Sequence, residues 1–181
     1  MTQTRTRRSK FSALALASDH YNTLRNFQSG RYSAADLAVH VGLPAALAVL
    51  AWLLGATARN IPDVLSAVAI FTGLIFNVFV LIFDLTARAT DKLPAESRAL
   101  VDRLADELRA NVSYAVLVGI VFTAFLGGVT MFIDTDEPLG VAVTAFMIFV
   151  GVHMLLTVLM ILKRVRAMFR SFRLRQSEII P

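Results

Sequence analysis

Four stretches of the chain are nearly free of charge and long enough to cross a bilayer, and polar segments separate them. The plainest is residues 64–83, VLSAVAIFTGLIFNVFVLIF, which holds no charged residue and a single strongly polar side chain, Asn77. At about 1.5 Å of rise per residue a helix of this length covers about 30 Å, the hydrocarbon thickness of a membrane. The other three are residues 36–57, 112–133 and 139–162. The pattern predicts an all-α polytopic integral membrane protein, with four transmembrane helices in two tandem hairpins and amphipathic helices outside the bilayer. Its segments are a basic amphipathic N-terminal stretch (1–33), a first hairpin (34–88), an amphipathic connection (89–111), a second hairpin (112–164) and a basic tail (165–181).

Spacing within these helices sorts their faces. On the first span His40, Pro44, Ala48, Ala51 and Gly55 form a narrow, mostly small stripe suited to close helix contact. Pro44 requires that a neighbour or water satisfy the carbonyl it frees. The loop 58–62 is short, so the second span is expected to return beside the first. On that second span Ser66, Gly73, Asn77, Asp84 and Arg88 share a face, with Phe71, Phe79 and Leu81 on the other. The polar stripe is expected to face protein or water, and the bulky side lipid or the hairpin partner. The connection has Pro94 at its start and Leu93, Leu100, Leu104 and Leu108 along one side, which reads as a helix feeding straight into the third span. There Gly119, Thr123, Gly127 and Thr130 share a face, and on the fourth span His153, Thr157 and Arg164 do.

Near the N-terminus Phe11, Leu14, Tyr21, Leu24 and Phe27 recur at helical spacing, as in a helix on the membrane surface or packed on the end of the bundle. The apolar run 11–17 is short for a signal peptide, so an uncleaved N-terminus is expected. Laying Pro62 on Pro138 places Asn77 on His153 and Arg88 on Arg164, so the hairpins read as a candidate parallel repeat about an axis along the membrane normal.

Composition agrees with the pattern: 56% of residues are apolar and only 17% charged, against about a quarter charged in soluble proteins. The net charge of +5 matters less than where it lies. Of 18 Lys and Arg, only Arg59 falls in the two short loops opposite the termini, which predicts that both termini are cytosolic.

Candidate chemistry is sparse. There is no Cys, and the three histidines, His20, His40 and His153, lie far apart without metal-ligand spacing. No phosphate-binding loop, H-E-x-x-H or G-x-S-x-G motif occurs, so no catalytic residue, metal or cofactor is expected and an enzyme is not the reading. The candidate pore or polar helix-face residues are Ser66, Asn77, Asp84, His153 and Thr157. Each has a plainer reading beside it: Asp84 as an interfacial ion pair with Arg88, Asn77 as a packing amide, His153 as a hydrogen-bonded packing residue.

In the tail Arg164, Arg166, Arg170, Arg173 and Arg175 are interleaved with Met168, Phe169, Phe172 and Leu174. Such a segment is drawn to anionic lipid headgroups by about 1 kcal/mol per charge, and could equally receive an anionic ligand or a cytosolic regulatory protein. Nucleic acid is the minor reading. Two function classes follow: a homo-oligomeric pore or channel-type effector controlled from the cytosolic side, or a non-conducting membrane anchor for a cytosolic partner.

The segments GLIFNVFVLIFD, RANVSYAVLVG and GVHMLLTVLMILKRV resemble those of small four-span bacterial inner-membrane proteins found in anti-phage defence operons. The resemblance is one of layout over most of the chain. It implies a multi-pass protein of the bacterial cytoplasmic membrane that permeabilises or monitors that membrane under a cytosolic partner, and it carries over no site residue.

Overall fold

The computed structural model describes residues 13–24, 34–90, 95–134 and 137–179, with side chains described except at 34, 85–90, 95–101 and 168–179. Helix α1 is Ala13–Asn22. The first span is built from α2 (Ala34–Leu37), a π turn (Ala38–Gly42) and α3 (Leu43–Leu53). Three long helices follow: α4 (Ile61–Thr90), α5 (Ala95–Phe132) and α6 (Val141–Ile179). Four segments, Ala35–Leu53, Ile61–Asp84, Asp102–Phe132 and Val141–Ala167, are long and apolar enough to cross a membrane. Their surfaces suit lipid: Leu53 is 76% exposed, Ile70 66% and Phe132 88%, an apolar exterior that water would not tolerate. The protein is therefore all-α and membrane-embedded. Helices α5 and α6 have 38 and 39 residues. At about 57 Å each they exceed the hydrocarbon thickness, so both project past the bilayer at the end where α1 docks.

The spans do not pack in chain order. Helix α3 lies against α6, α6 against α5 and α5 against α4, and among the described residues α3 and α4 make no close backbone approach. The expected side-by-side return of the second span is thus corrected, and the loop explains why. Gly55, at φ +64°, ends α3 with the paired bonds Ala56 N–H to Ala51 O (2.9 Å) and Gly55 N–H to Trp52 O (3.0 Å), the pattern of a left-handed helix stop. Ala58 is then clasped by the second hairpin: its N–H donates to Thr144 Oγ1 and its carbonyl accepts from Leu139 N–H, each at 2.9 Å. Asn60, at φ 56°, turns the chain into α4. The loop is drawn across the start of α6, and α4 begins beyond it. Gly55 therefore belongs to the helix stop rather than to the small stripe, whose His40, Pro44 and Ala51 are buried.

The apolar core joins α4, α5 and α6 through Ile75, Ile82, Leu108, Val112, Phe122, Leu126, Met147, Met154 and Ile161. On α4 the inward positions are Leu65, Val68, Thr72, Ile75, Phe79 and Ile82, spaced by three and four. Phe71 and Phe79 pack against this core, while Ser66, Gly73, Asn77 and Asp84 are exposed. Phe71 and Phe79, expected to face lipid or the first span, pack toward α5 instead, because burying phenyl rings there gains more than burying a serine, a glycine and an amide, while Leu81 stays exposed. Close approach of α4 and α5 rests on Gly119, where a Cβ would lie 2.7 Å from Thr72 Cγ2.

Candidate functional site

Asn111 and Tyr114 sit three residues apart on α5, and His153 and Thr157 four apart on α6, so each pair shares one helix face. His40 lies in the π turn of the first span, and His20 near the end of α1. All six are buried, and the fold brings them into one junction. His20 stacks on Tyr114 with ring centroids 4.0 Å apart and planes 10° from parallel. His40 meets His153 edge to face at 4.6 Å.

For neutral imidazoles, hydrogen-bond chemistry assigns the proton positions. Glu107 O can only accept, so Asn111 Nδ2 faces it at 2.7 Å and Asn111 Oδ1 must accept on its other side. His20 Nδ1–H then donates to Asn111 Oδ1 (2.8 Å), which leaves His20 Nε2 as an acceptor. His40 Nε2 lies 3.2 Å from that nitrogen and must carry the proton. Thr157 Oγ1, whose own O–H donates to His153 O (2.9 Å), sits 3.2 Å from the same His40 nitrogen and shares its N–H. His153 Nδ1–H donates to the His40 carbonyl (3.0 Å), and Tyr114 O–H donates to His153 Nε2 (2.8 Å). This scheme places one proton on each imidazole, and all three rings are neutral in it.

Pro44 explains the bond to the His40 carbonyl. A proline at 44 has no N–H to offer the carbonyls four and five residues back, those of His40 and Val39, in a turn where Leu43 N–H reaches five residues back to Ala38 O. In hydrocarbon an orphaned carbonyl costs several kcal/mol, and His153 supplies the missing donor. The neighbour that the proline required is therefore a histidine of the fourth span.

The junction ties α1 to the bundle. Thr23 O–H donates to His20 O (2.6 Å), with Asn111 Oδ1 a second acceptor at 2.9 Å. Arg164 donates through Nη2 to Thr23 O (2.8 Å) and through Nη1 to Glu107 Oε2 (3.0 Å). A groove of about 430 Å³ opens beside it, lined in part by Thr23, Asp36, His40, Lys163 and Arg164.

His20 lies outside the spans and is fully buried. Burial pushes its imidazole down to about 3, against the pull of the Asn111 bond and with the Arg164 guanidinium adding to the fall. A buried base that resists protonation favours the docked state at high pH, because undocked His20 binds the extra proton between its ordinary value near 6.5 and about 3. With a spin label at Leu14→Cys, α1 docking should be constant above about pH 7. Below about 6.5 it should weaken by up to about tenfold per pH unit. A docking equilibrium flat from pH 7 to 4 would contradict this.

The sequence-predicted residues divide. His153 and Thr157 are in the junction, whereas Ser66, Asn77 and Asp84 lie on the outer face of α4, so the structure does not bring the two groups together. Asn77 and His153, aligned in the candidate repeat, differ in surroundings: one is exposed and the other buried. Arg164, expected to bind lipid or ligand, is turned inward, with its side chain 18% exposed against Glu107. Arg166 is exposed, and the side chains of Arg88, Arg170, Arg173 and Arg175 lie outside the described residues, as do Phe11, Phe27, Leu93, Pro94 and Leu100.

Sequence reasoning missed His20, Asn111 and Tyr114 and took the histidines as unrelated. Depth was the available signal, since His40 is near the start of the first apolar run (36–57) and His153 past the middle of the last (139–162), both displaced toward the same end of a four-crossing chain. Among the described residues no group of three or more His, Asp or Glu is arranged to hold a metal ion, and each imidazole already has a partner in the network above. No family model matches the chain, and neither a curated protein nor a solved structure is found similar to it.

Proposed function

We propose that the protein is the subunit of a small homo-oligomeric membrane pore, a channel-type effector without enzymatic activity, controlled from the cytosolic side. The observation that carries this reading is Asn77. Its amide is exposed on α4, about two-thirds of the way along the apolar segment Ile61–Asp84, with no hydrogen-bond partner among the described residues. Lipid tails offer it none, so the face with Ser66, Gly73 and Asp84 meets water or other copies. A path through one copy finds no support, because the junction fills the interior at the α1 end. The path would form between copies, with α4 lining it and Phe76 and Phe83, 51% and 62% exposed, closing it by dewetting.

The near absence of basic residues from the two short loops supports a cytosolic side for α1, the start of α5 and the end of α6. Control would act on α1, which the junction holds, through anionic headgroups, an anionic ligand or a regulatory protein engaging the exposed cations Lys163 and Arg166. The bacterial inner membrane and anti-phage defence rest on the likeness of layout alone.

The test is ion flux in reconstituted vesicles. A His20→Ala variant, in which α1 is released, should conduct, and adding Asn77→Leu should return flux to the leak of empty vesicles. Equal flux with Asn77 and with Leu would remove the lining assigned to α4.

A second reading, a membrane anchor for a cytosolic partner, is favoured by Leu14, 83% exposed on the docked α1. Here removal of the tail from Arg166 onward should release a partner from membranes with no electrical effect.

A further inference from the structure

We infer that copies of this chain meet through the outward seam of α4, as parallel helices side by side, with the Asn77 amides of neighbouring copies hydrogen-bonded to one another at one depth in the membrane.

The seam is Ser66, Ile70, Gly73, Asn77, Val80 and Asp84, all exposed and separated by steps of four and three. At 3.6 residues per turn this stripe lies diametrically opposite Thr72, Ile75 and Ile82, which pack on α5. Any helix face can be counted at that spacing, so residue type decides. The exposed faces of the other spans are filled by Leu43, Leu47 and Leu50 on α3 and by Leu155, Leu159 and Leu162 on α6, side chains that lipid covers at no cost. Only α4, among the described spans, exposes an amide to the hydrocarbon.

The chemistry of that amide selects the partner. An amide carries two donors and an acceptor, so it is complementary to another amide. Every copy inserts with the same orientation, and an axis along the membrane normal brings Asn77 opposite the partner's Asn77 without adjustment of depth. Steps of four and three give the 3.5-residue repeat of left-handed helix packing, in which a lone asparagine at a seam position sets register and copy number. One turn away, a Cβ at Gly73 would have nothing within 4 Å in its own chain, so the space that a second backbone would use is open. The contact serves a conducting and a non-conducting assembly alike. The inference deepens the pore reading without depending on it, and its test reads proximity rather than current.

The chain has no Cys, which makes every introduced thiol unique. Single variants Ile70→Cys, Gly73→Cys and Val80→Cys, oxidised in native membranes, should give disulfide-linked dimers, since seam positions reach the Cα separation of about 5.5–6 Å that the bond needs. Leu50→Cys and Leu159→Cys should stay near background. In a Val80→Cys background Asn77→Leu should lower the yield at limiting protein by about tenfold and Asn77→Gln should retain most of it, in line with membrane amide bonds in model helices. Dimers strongest at 50 or 159, or absent throughout, would overturn the seam. An undiminished yield with Asn77→Leu would overturn the part given to the amide.

Discussion

Replacing His153 with Leu should destabilise the fold by about 2–4 kcal/mol, because it strands two polar groups in a region without water. Tyr114 O–H loses its acceptor, and the His40 carbonyl loses the donor that replaced the N–H absent at Pro44. The second loss can be isolated. Pro44→Ala restores a backbone N–H at 44 and lets the π turn relax to the α register, in which that N–H reaches the His40 carbonyl in the double variant. The two substitutions should be coupled by about 1 kcal/mol, the double variant being more stable than the sum of the single effects predicts. Steric-trap or denaturant unfolding in a bilayer mimic measures this. Strict additivity would mean that His153 and Pro44 do not act through one carbonyl.

The other large effect is expected at Gly119. A Cβ there would press on Thr72, whose β-branched side chain is stiff and already donates to Val68 O at 2.7 Å. Gly119→Val should therefore push α4 off α5 at a cost of about 2–3 kcal/mol. Since α4 packs on α5 and makes no close approach to the other spans among the described residues, the damage should stay local. The α1 junction, as read by the Leu14→Cys label, should persist while α4 loosens. Adding Thr72→Ala should recover part of the loss, because it removes the two atoms closest to the added Cβ. Full stability in Gly119→Val would show that the two helices do not approach through this residue.

What was legible in the sequence follows the length scale of the signal. Hydrophobic runs of bilayer length report crossings directly, so the four spans and the all-α class could be read from residues 64–83 and their counterparts. Packing order could not. The short loop after α3 suggested neighbouring spans, but Ala58 is bonded to Leu139 and Thr144, contacts 81 and 86 residues distant that no local pattern encodes. The shared face of Ser66, Gly73, Asn77 and Asp84 was readable from 3.6-residue periodicity, whereas its direction was not, since a polar stripe can face a neighbour within the chain or one outside it.

The imidazole junction was the least legible part. Its members come from α1, the first span, α5 and α6, and each taken alone looks like an ordinary packing residue. Pro44 gave a partial clue: it demanded a foreign donor at the His40 carbonyl, and a histidine in another span was one of few side chains able to reach it. Thr157 and Arg164 share a face with His153 at steps of four and seven, yet nothing local said that this face would meet His40 and the turn after α1.

The account as a whole depends on α1 and its junction lying at the cytosolic end of a protein that crosses the membrane four times. Accessibility of introduced thiols in intact cells tests this most directly, since the chain carries none of its own. With a membrane-impermeant maleimide, Glu137→Cys in the loop before α6 should react from outside, and Leu14→Cys on the exposed face of α1 should react only after the membrane is opened. Reaction of Leu14→Cys in sealed cells would place α1 on the outer side and contradict cytosolic control.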